Sequence, residues 1–206
     1  MIETLMAGGP VMIPIALCSV VALAVFVERL WSLRREHTLP RSLVDAIIAH
    51  INSEQWDDGR ALCHTRDVTV TRLAMVAIES RQLSRAGLKE RLEEVGRREA
   101  ALLERGTPVI GTIASITPLL GLLGTVGGMI RTFAIIQTAG MGDVGSLAGG
   151  ISEALITTFA GLSVGIPAVV ANRYLLSRVD ALLVDLEDIA LDLVDATVGE
   201  DVETAQ

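Results

Sequence analysis

Three long runs without a charged side chain constrain this chain more than any other feature: residues 10–27, 107–130 and 154–172. The third run extends back to Val144 if one carboxylate, Glu153, is admitted. At a helical rise of about 1.5 Å, roughly 20 apolar residues cross the hydrocarbon core of a bilayer, about 30 Å thick. Each run is long enough to do so as a helix, which pairs all of its backbone polar groups internally. Half of the 206 residues are hydrophobic, only 3% are aromatic, and the mean hydropathy is positive, a balance that fits a small membrane protein better than a soluble enzyme. The expected fold class is therefore an all-α integral membrane protein, with three transmembrane helices and long helical extensions on the cytoplasmic side. The first run differs from a secretory signal because Glu3 and no Lys or Arg precedes it, and because it exceeds the usual apolar core of such signals. It is expected to stay in the mature chain.

Basic residues set the orientation, since Lys and Arg flanking a span tend to remain in the cytoplasm. Of the 17, all but Arg131, Arg173 and Arg178 fall between Arg29 and Arg105, and residues 1–9 and 137–146 carry none. The expected plan is an outer N-terminus (1–9), a first span (10–30), an inner helical domain (31–106), a second span (107–136), an outer loop (137–146), a third span (147–172), an inner helix (173–198) and an acidic tail (199–206). Arg131 falls near the outer end of the second span, where it is expected to snorkel to the interface or pair with Asp143.

The net charge of −8 is carried largely by acids after Arg178, where no base follows. With no basic stripe and few aromatic residues, nucleic acid is not an expected partner. Cys18 lies in the first span and Cys63 in the inner domain, so both are read as reduced thiols. His37, His50 and His64 are irregularly spaced, and no metal site is expected. No nucleophile or paired carboxylates stand at useful spacing, so neither an enzyme nor a cofactor is expected.

The inner domain shows helical stripes, Leu43-Ile47-Ile51 and Leu88-Leu92-Val95-Leu102. Breaks are expected at Pro40 and at the "DDG" of residues 57–59, which lacks the alternating ligands of a calcium loop. Beyond the third span, Leu175, Val179, Leu182, Leu186, Ile189 and Leu193 repeat at steps of four and three. The helix is expected to continue inward along this seam, packing on its own inner domain or on another copy. The closing "GEDVETAQ" has the composition of a disordered acidic end.

In the second span Gly121, Gly124 and Gly127 recur, but no strand precedes them and no Gly-Lys-Ser/Thr follows, which argues against a nucleotide loop. Small residues in lipid let helix backbones approach, and Gly124 with Gly128, and Gly161 with Gly165, have that spacing. Pro118, Gly121, Thr125, Gly128 and Thr132 share one face, which either packs on a helix or lines a hydrated lumen. On the third span, at about 100° per residue, Ser146, Gly149, Gly150, Glu153, Thr157 and Ala160 fall within roughly 50° of a common direction. Thr158 points about 140° away from Glu153. A carboxylate at mid-membrane depth costs about 2.5 to 3.5 kcal/mol on insertion scales, so it is expected to have a partner, a water path or a function. The low dielectric favours its neutral form, which lets it load and release a proton.

The segments "TPLLGLLGTVGGMIRTF" (117–133) and "GGISEALITTFAGLSVGIPAVVANRYL" (149–175) closely resemble the signature of the ExbB/TolQ/MotA proton-channel family. The opening "GGPVMIPIALCSVVALAVFVERLW" (8–31) resembles its ExbB branch. The resemblance covers all three spans and implies a bacterial inner-membrane protein with its N-terminus in the periplasm and its C-terminus in the cytoplasm. It further implies a homo-oligomer, a ring of five, around the helices of a single-span ExbD-like partner, with proton flow driving TonB at outer-membrane transporters. Carried over by position, the pore threonines fall on Thr125 and Thr158, the glutamate on Glu153, and the proline of "IPA" on Pro167. Thr157 adds a hydroxyl where relatives often have a small apolar residue, and Arg131 is basic where a polar or apolar residue is expected. Alternatives are a TolQ-like subunit for envelope maintenance, a MotA-like stator, and a non-conducting scaffold. The stator is disfavoured because its members have four spans.

Overall fold

The computed structural model describes residues 8–34, 38–139 and 144–198. Glu3, His37, Asp143 and the tail 199–206 lie outside the described residues. Among the described residues, these helices follow one another: α1 (Met12–Ser32), α2 (Arg41–Asn52), α3 (Trp56–Cys63), α4 (Thr69–Glu79), α5 (Arg85–Glu104), α6 (Thr107–Ala139) and α7 (Val144–Val198). Three are long and apolar enough to cross a membrane, namely α1, α6 and α7. The chain divides into two compact units, one of residues 1–29 and 106–175, the other of 30–105 and 176–206.

In the first unit α6 and α7 run antiparallel at backbone contact. A Cβ on Gly161 would stand 2.8 Å from Gly121 Cα, and one on Gly165 would stand 2.7 Å from Pro118 Cγ. Further along the seam, a Cβ on Gly128 would meet Ala154 Cβ at 2.9 Å, and one on Gly111 would lie 3.3 Å from Asn172 Oδ1. The small face of α6 thus meets α7 of the same chain at Pro118, Gly121 and Gly128. Large side chains such as Leu119, Leu122, Ile130, Phe133, Leu155 and Phe159 point away, each more than half exposed. Of the most apolar window of α1, only 6% is buried within the chain, and Met12 and Ile15 are the buried residues of the whole helix.

Gly106, at φ 85, ends α5 and lets α6 begin at once. Only a glycine takes that left-handed turn without strain. Arg29 Nε stands 2.9 Å from where a Cβ would be.

The second unit has a conventional core. Val44, Ile47 and Ile51 of α2, Val70, Leu73 and Ile78 of α4, and Leu88 and Leu92 of α5 are all buried. Ser84 caps α5, its hydroxyl accepting from the Gly87 N–H at 3.3 Å. The expected seam on α7 is covered within the chain, with Val179, Leu182, Leu186, Ile189 and Leu193 all buried. Arg85 of α5 pairs with Asp195 of α7.

Two expectations change here. The "DDG" is not a break: Asp57 and Asp58 lie in the first turn of α3, where acids suit the exposed N–H groups and the helix dipole. The chain turns just before, at Glu54 with φ 57. On α5 the buried stripe passes through Glu99 and Leu103, while Leu102 is 52% exposed. Glu99 is admitted to the interior because Arg72 of α4 donates to both of its oxygens, at 2.7 and 2.8 Å. That pairing holds the Arg72 guanidinium above its ordinary range, the Glu99 hydrogen bond being the main cause.

Candidate functional site

The site grows from the middle of the α6–α7 seam toward the start of α1. Residues of α7 spaced by about one turn lie on one side of the helix, so Glu153 and Thr157 follow each other there. Opposite Thr157 lies Gly124, whose missing side chain leaves the room that the Thr157 methyl occupies. Thr157 is completely buried, and its hydroxyl reaches Gly8 O at 2.6 Å and Glu153 O at 2.8 Å. It ties the entry of α1 to α7.

Thr158 also points into the seam, its hydroxyl donating to Gly121 O at 3.2 Å. It looks elsewhere than Glu153 and meets α6, so each side of α7 has a different neighbour. Thr125 is half-buried and donates to Leu122 O of its own helix at 2.6 Å. Thr117 and Thr132 are buried and bond the carbonyls of Ile113 and Gly128 one turn back. These five hydroxyls each have a backbone partner, as burial in an apolar medium demands, whereas Thr107 Oγ1 at the start of α6 is buried without one among the described residues. Pro167 lies inside α7.

Glu153 accepts a hydrogen bond from the Arg131 guanidinium of α6. The expected pairing of Arg131 with Asp143 lies outside the described residues; within them the guanidinium meets Glu153. The sequence offered a signal, since Arg131 and Glu153 are opposite charges near the joined ends of two consecutive apolar helices. The Glu153 side chain is 19% exposed and that of Arg131 is 51%. The Gly8–Gly9 turn covers the carboxylate from above. Gly9 has φ 70, and a Cβ there would occupy the position of Glu153 Oε1. Sequence reasoning gave this turn no role, although two adjacent glycines at the start of a span are a signal of close backbone approach. Beside the pair opens a cleft of about 330 Å³, with Pro10, Leu123, Val126 and Ile130 among its walls.

The arrangement is that of a helical membrane protein with a charged pair set among apolar and small residues. The sequence matches the MotA/TolQ/ExbB proton channel family over residues 65–188. It is 35% identical over 185 residues to the biopolymer transport protein ExbB-like 1 of Synechocystis sp., covering 86% of this chain and 71% of that protein. It is 34% identical over 114 residues to the biopolymer transport protein ExbB of Xanthomonas campestris, covering 55% of this chain and 45% of that one. A shorter match, 42% identical over 85 residues, joins it to the Tol-Pal system protein TolQ of Haemophilus influenzae, covering 41% and 37% of the two chains. This chain belongs to the MotA/TolQ/ExbB proton channel family.

Proposed function

We propose that the chain is an inner-membrane subunit of a proton-driven motor. With an ExbD-like single-span partner, it couples the proton motive force to a TonB-like protein and so to transport across the outer membrane. Five copies form a ring around the partner's helices, with the N-terminus in the periplasm and the C-terminus in the cytoplasm. The exposed Leu, Ile and Phe side chains of α6 and α7 face lipid or neighbouring copies.

One observation carries the reading beyond family membership: a carboxylate, Glu153, stands on the close-packed α6–α7 pair among apolar and small residues, 19% exposed and with Arg131 as its counter-charge. An acid in lipid marks an ion path by default. Thr125 and Thr158 are its expected companions, ordering water or relaying protons when the partner helix is present. Each charge crossing about 100 mV releases about 2.3 kcal/mol, so a few transfers suffice to turn or shift a partner helix.

The test is Glu153→Gln, which keeps the side chain's size and its hydrogen-bonding capacity but cannot load a proton. In a cell lacking its own copy, the variant is expected to assemble normally while partner-dependent uptake falls to background. Full uptake at normal expression would rule out an obligatory titrating role for Glu153. Thr125→Val and Thr158→Val are expected to slow uptake.

A second reading, a TolQ-like subunit of an envelope-maintenance motor, is favoured by the local identity to TolQ. It predicts that loss of the chain leaves iron-chelate or vitamin uptake intact and makes the outer membrane leaky.

A further inference from the structure

Arg131 is the charged side chain that the structure sets on Glu153, and the way the pair is seated goes beyond a surface salt bridge. Three elements converge on the carboxylate. The α6 helix supplies the guanidinium. The Gly8–Gly9 turn supplies a backbone with no Cβ, held down by the Thr157 hydroxyl on Gly8 O at 2.6 Å. The α7 helix supplies Glu153 itself, flanked along the same helix by Gly149, Gly150, Ala154, Ile156 and Thr157. Neither the turn nor these flanking residues carries a titratable group, and Met12 and Ile156, which touch Gly8, are apolar. The guanidinium is therefore the counter-charge that Glu153 has among the described residues.

We propose that Arg131 is a positioning residue for Glu153: it and the Gly8–Gly9 turn hold the side chain as a seated carboxylate, and each proton taken up at Glu153 requires the ion pair to open and re-form. The physical reason is competition. A guanidinium stabilises the charged carboxylate through a charge-assisted hydrogen bond, and a proton on the same oxygen abolishes that bond. The seat is specific in shape as well as charge. Gly9 lies so close to Oε1 that any side chain at this position displaces the turn or the carboxylate. The pair also links α6 to α7 beside the turn that leads into α1. This inference rests on the reading of Glu153 as part of a proton path, and its test does not depend on transport.

The experiment labels the full-length protein, in the membrane, with dicyclohexylcarbodiimide. This reagent enters apolar surroundings and attacks the protonated carboxyl, so its rate at Glu153, read by mass spectrometry of the digested chain, reports how often the seat is open. Arg131→Gln is expected to raise the rate at neutral pH at least about tenfold, and Arg131→Lys, which keeps the charge, to return it most of the way to the wild-type value. A steric or folding role for Arg131 would not give charge-dependent rescue. A wild-type rate in Arg131→Gln overturns the proposal. If that variant fails to accumulate, Gly9→Ala decides, because its methyl group enters the seat while Arg131 stays in place: a faster rate supports the seat, and an unchanged rate overturns it. Retention of transport by Glu153→Gln, together with charge-dependent labelling, would mean that the proton-path reading fails while the seat stands.

Discussion

The two units of this protein pack by opposite rules. In the unit of residues 30–105 and 176–206, large side chains such as Ile47, Ile51, Leu73, Leu88 and Leu193 are buried at 1% exposure or less, and charged residues lie mostly outside. In the unit of residues 1–29 and 106–175, the seam is made of Gly121, Gly128, Ala154, Thr157 and Gly161, and many large side chains, such as Leu119, Leu122 and Phe159, face outward. Water expels apolar surface from the first kind of molecule, so size is favoured inside. Lipid tails are as apolar as leucine and give no such push, so close backbone approach and interhelical hydrogen bonds hold the second kind together. The difference shows that burial has no single meaning along this chain.

The comparison is tested most severely at Gly161, where a side chain would meet the Gly121 backbone. Gly161→Leu is expected to force α6 and α7 apart and to abolish the folded, assembled species in mild detergent, as read by size exclusion. Recovery of the normal species would show that the seam is not the organising contact of that unit.

Next in size is a paired truncation. Leu73→Ala, at a fully buried position of the second unit, is expected to cost about 2 to 5 kcal/mol of stability. Leu122→Ala, 58% exposed on α6, is expected to change it by no more than about 0.5 kcal/mol. Equal effects in denaturant titration would erase the distinction between the two units.

The smallest effect concerns the thiol of the second unit. Burial pushes Cys63 up from 9.0 to about 11, so the folded state holds its proton more tightly than the unfolded chain does. The stabilisation is fully present below about pH 9 and is lost as pH rises toward 11. The wild-type unfolding midpoint is expected to fall over that window more steeply than that of Cys63→Ala; parallel profiles would exclude the effect. Because Cys63 is buried, a membrane-impermeant thiol reagent is expected to miss it even after lysis. An added thiol at exposed Gln82, Gln82→Cys, is expected to label only after lysis if the second unit is cytoplasmic.

Periodicity made much of this fold legible. The three spans follow from uncharged length alone, and the α7 seam from steps of four and three, because a helix repeats its faces whatever packs on them. Local reading failed where a partner decides. Glu99 interrupts an apolar stripe and is buried because Arg72 reaches it from another helix. "DDG" looks like a turn and is the first turn of a helix, since its acids face free N–H groups. The candidate site divides in the same way. Glu153 stood out as an acid in an apolar run, but its pairing with Arg131 and the cover of Gly8 and Gly9 join parts of the chain that no sequence period relates.

By itself, then, the sequence determined the spans, the class of helical membrane protein and the residue types available to a proton path, because those depend on composition and on the fixed geometry of one helix. Only the tertiary structure decided what each of those residues touches. It set Gly121 of α6 against Gly161 of α7, made Thr157 and Thr158 ties between segments, and gave Glu153 a guanidinium. Such contacts depend on the rotation and register of two helices about their common seam. A shift of one residue turns a helix by about 100° and would replace every one of them.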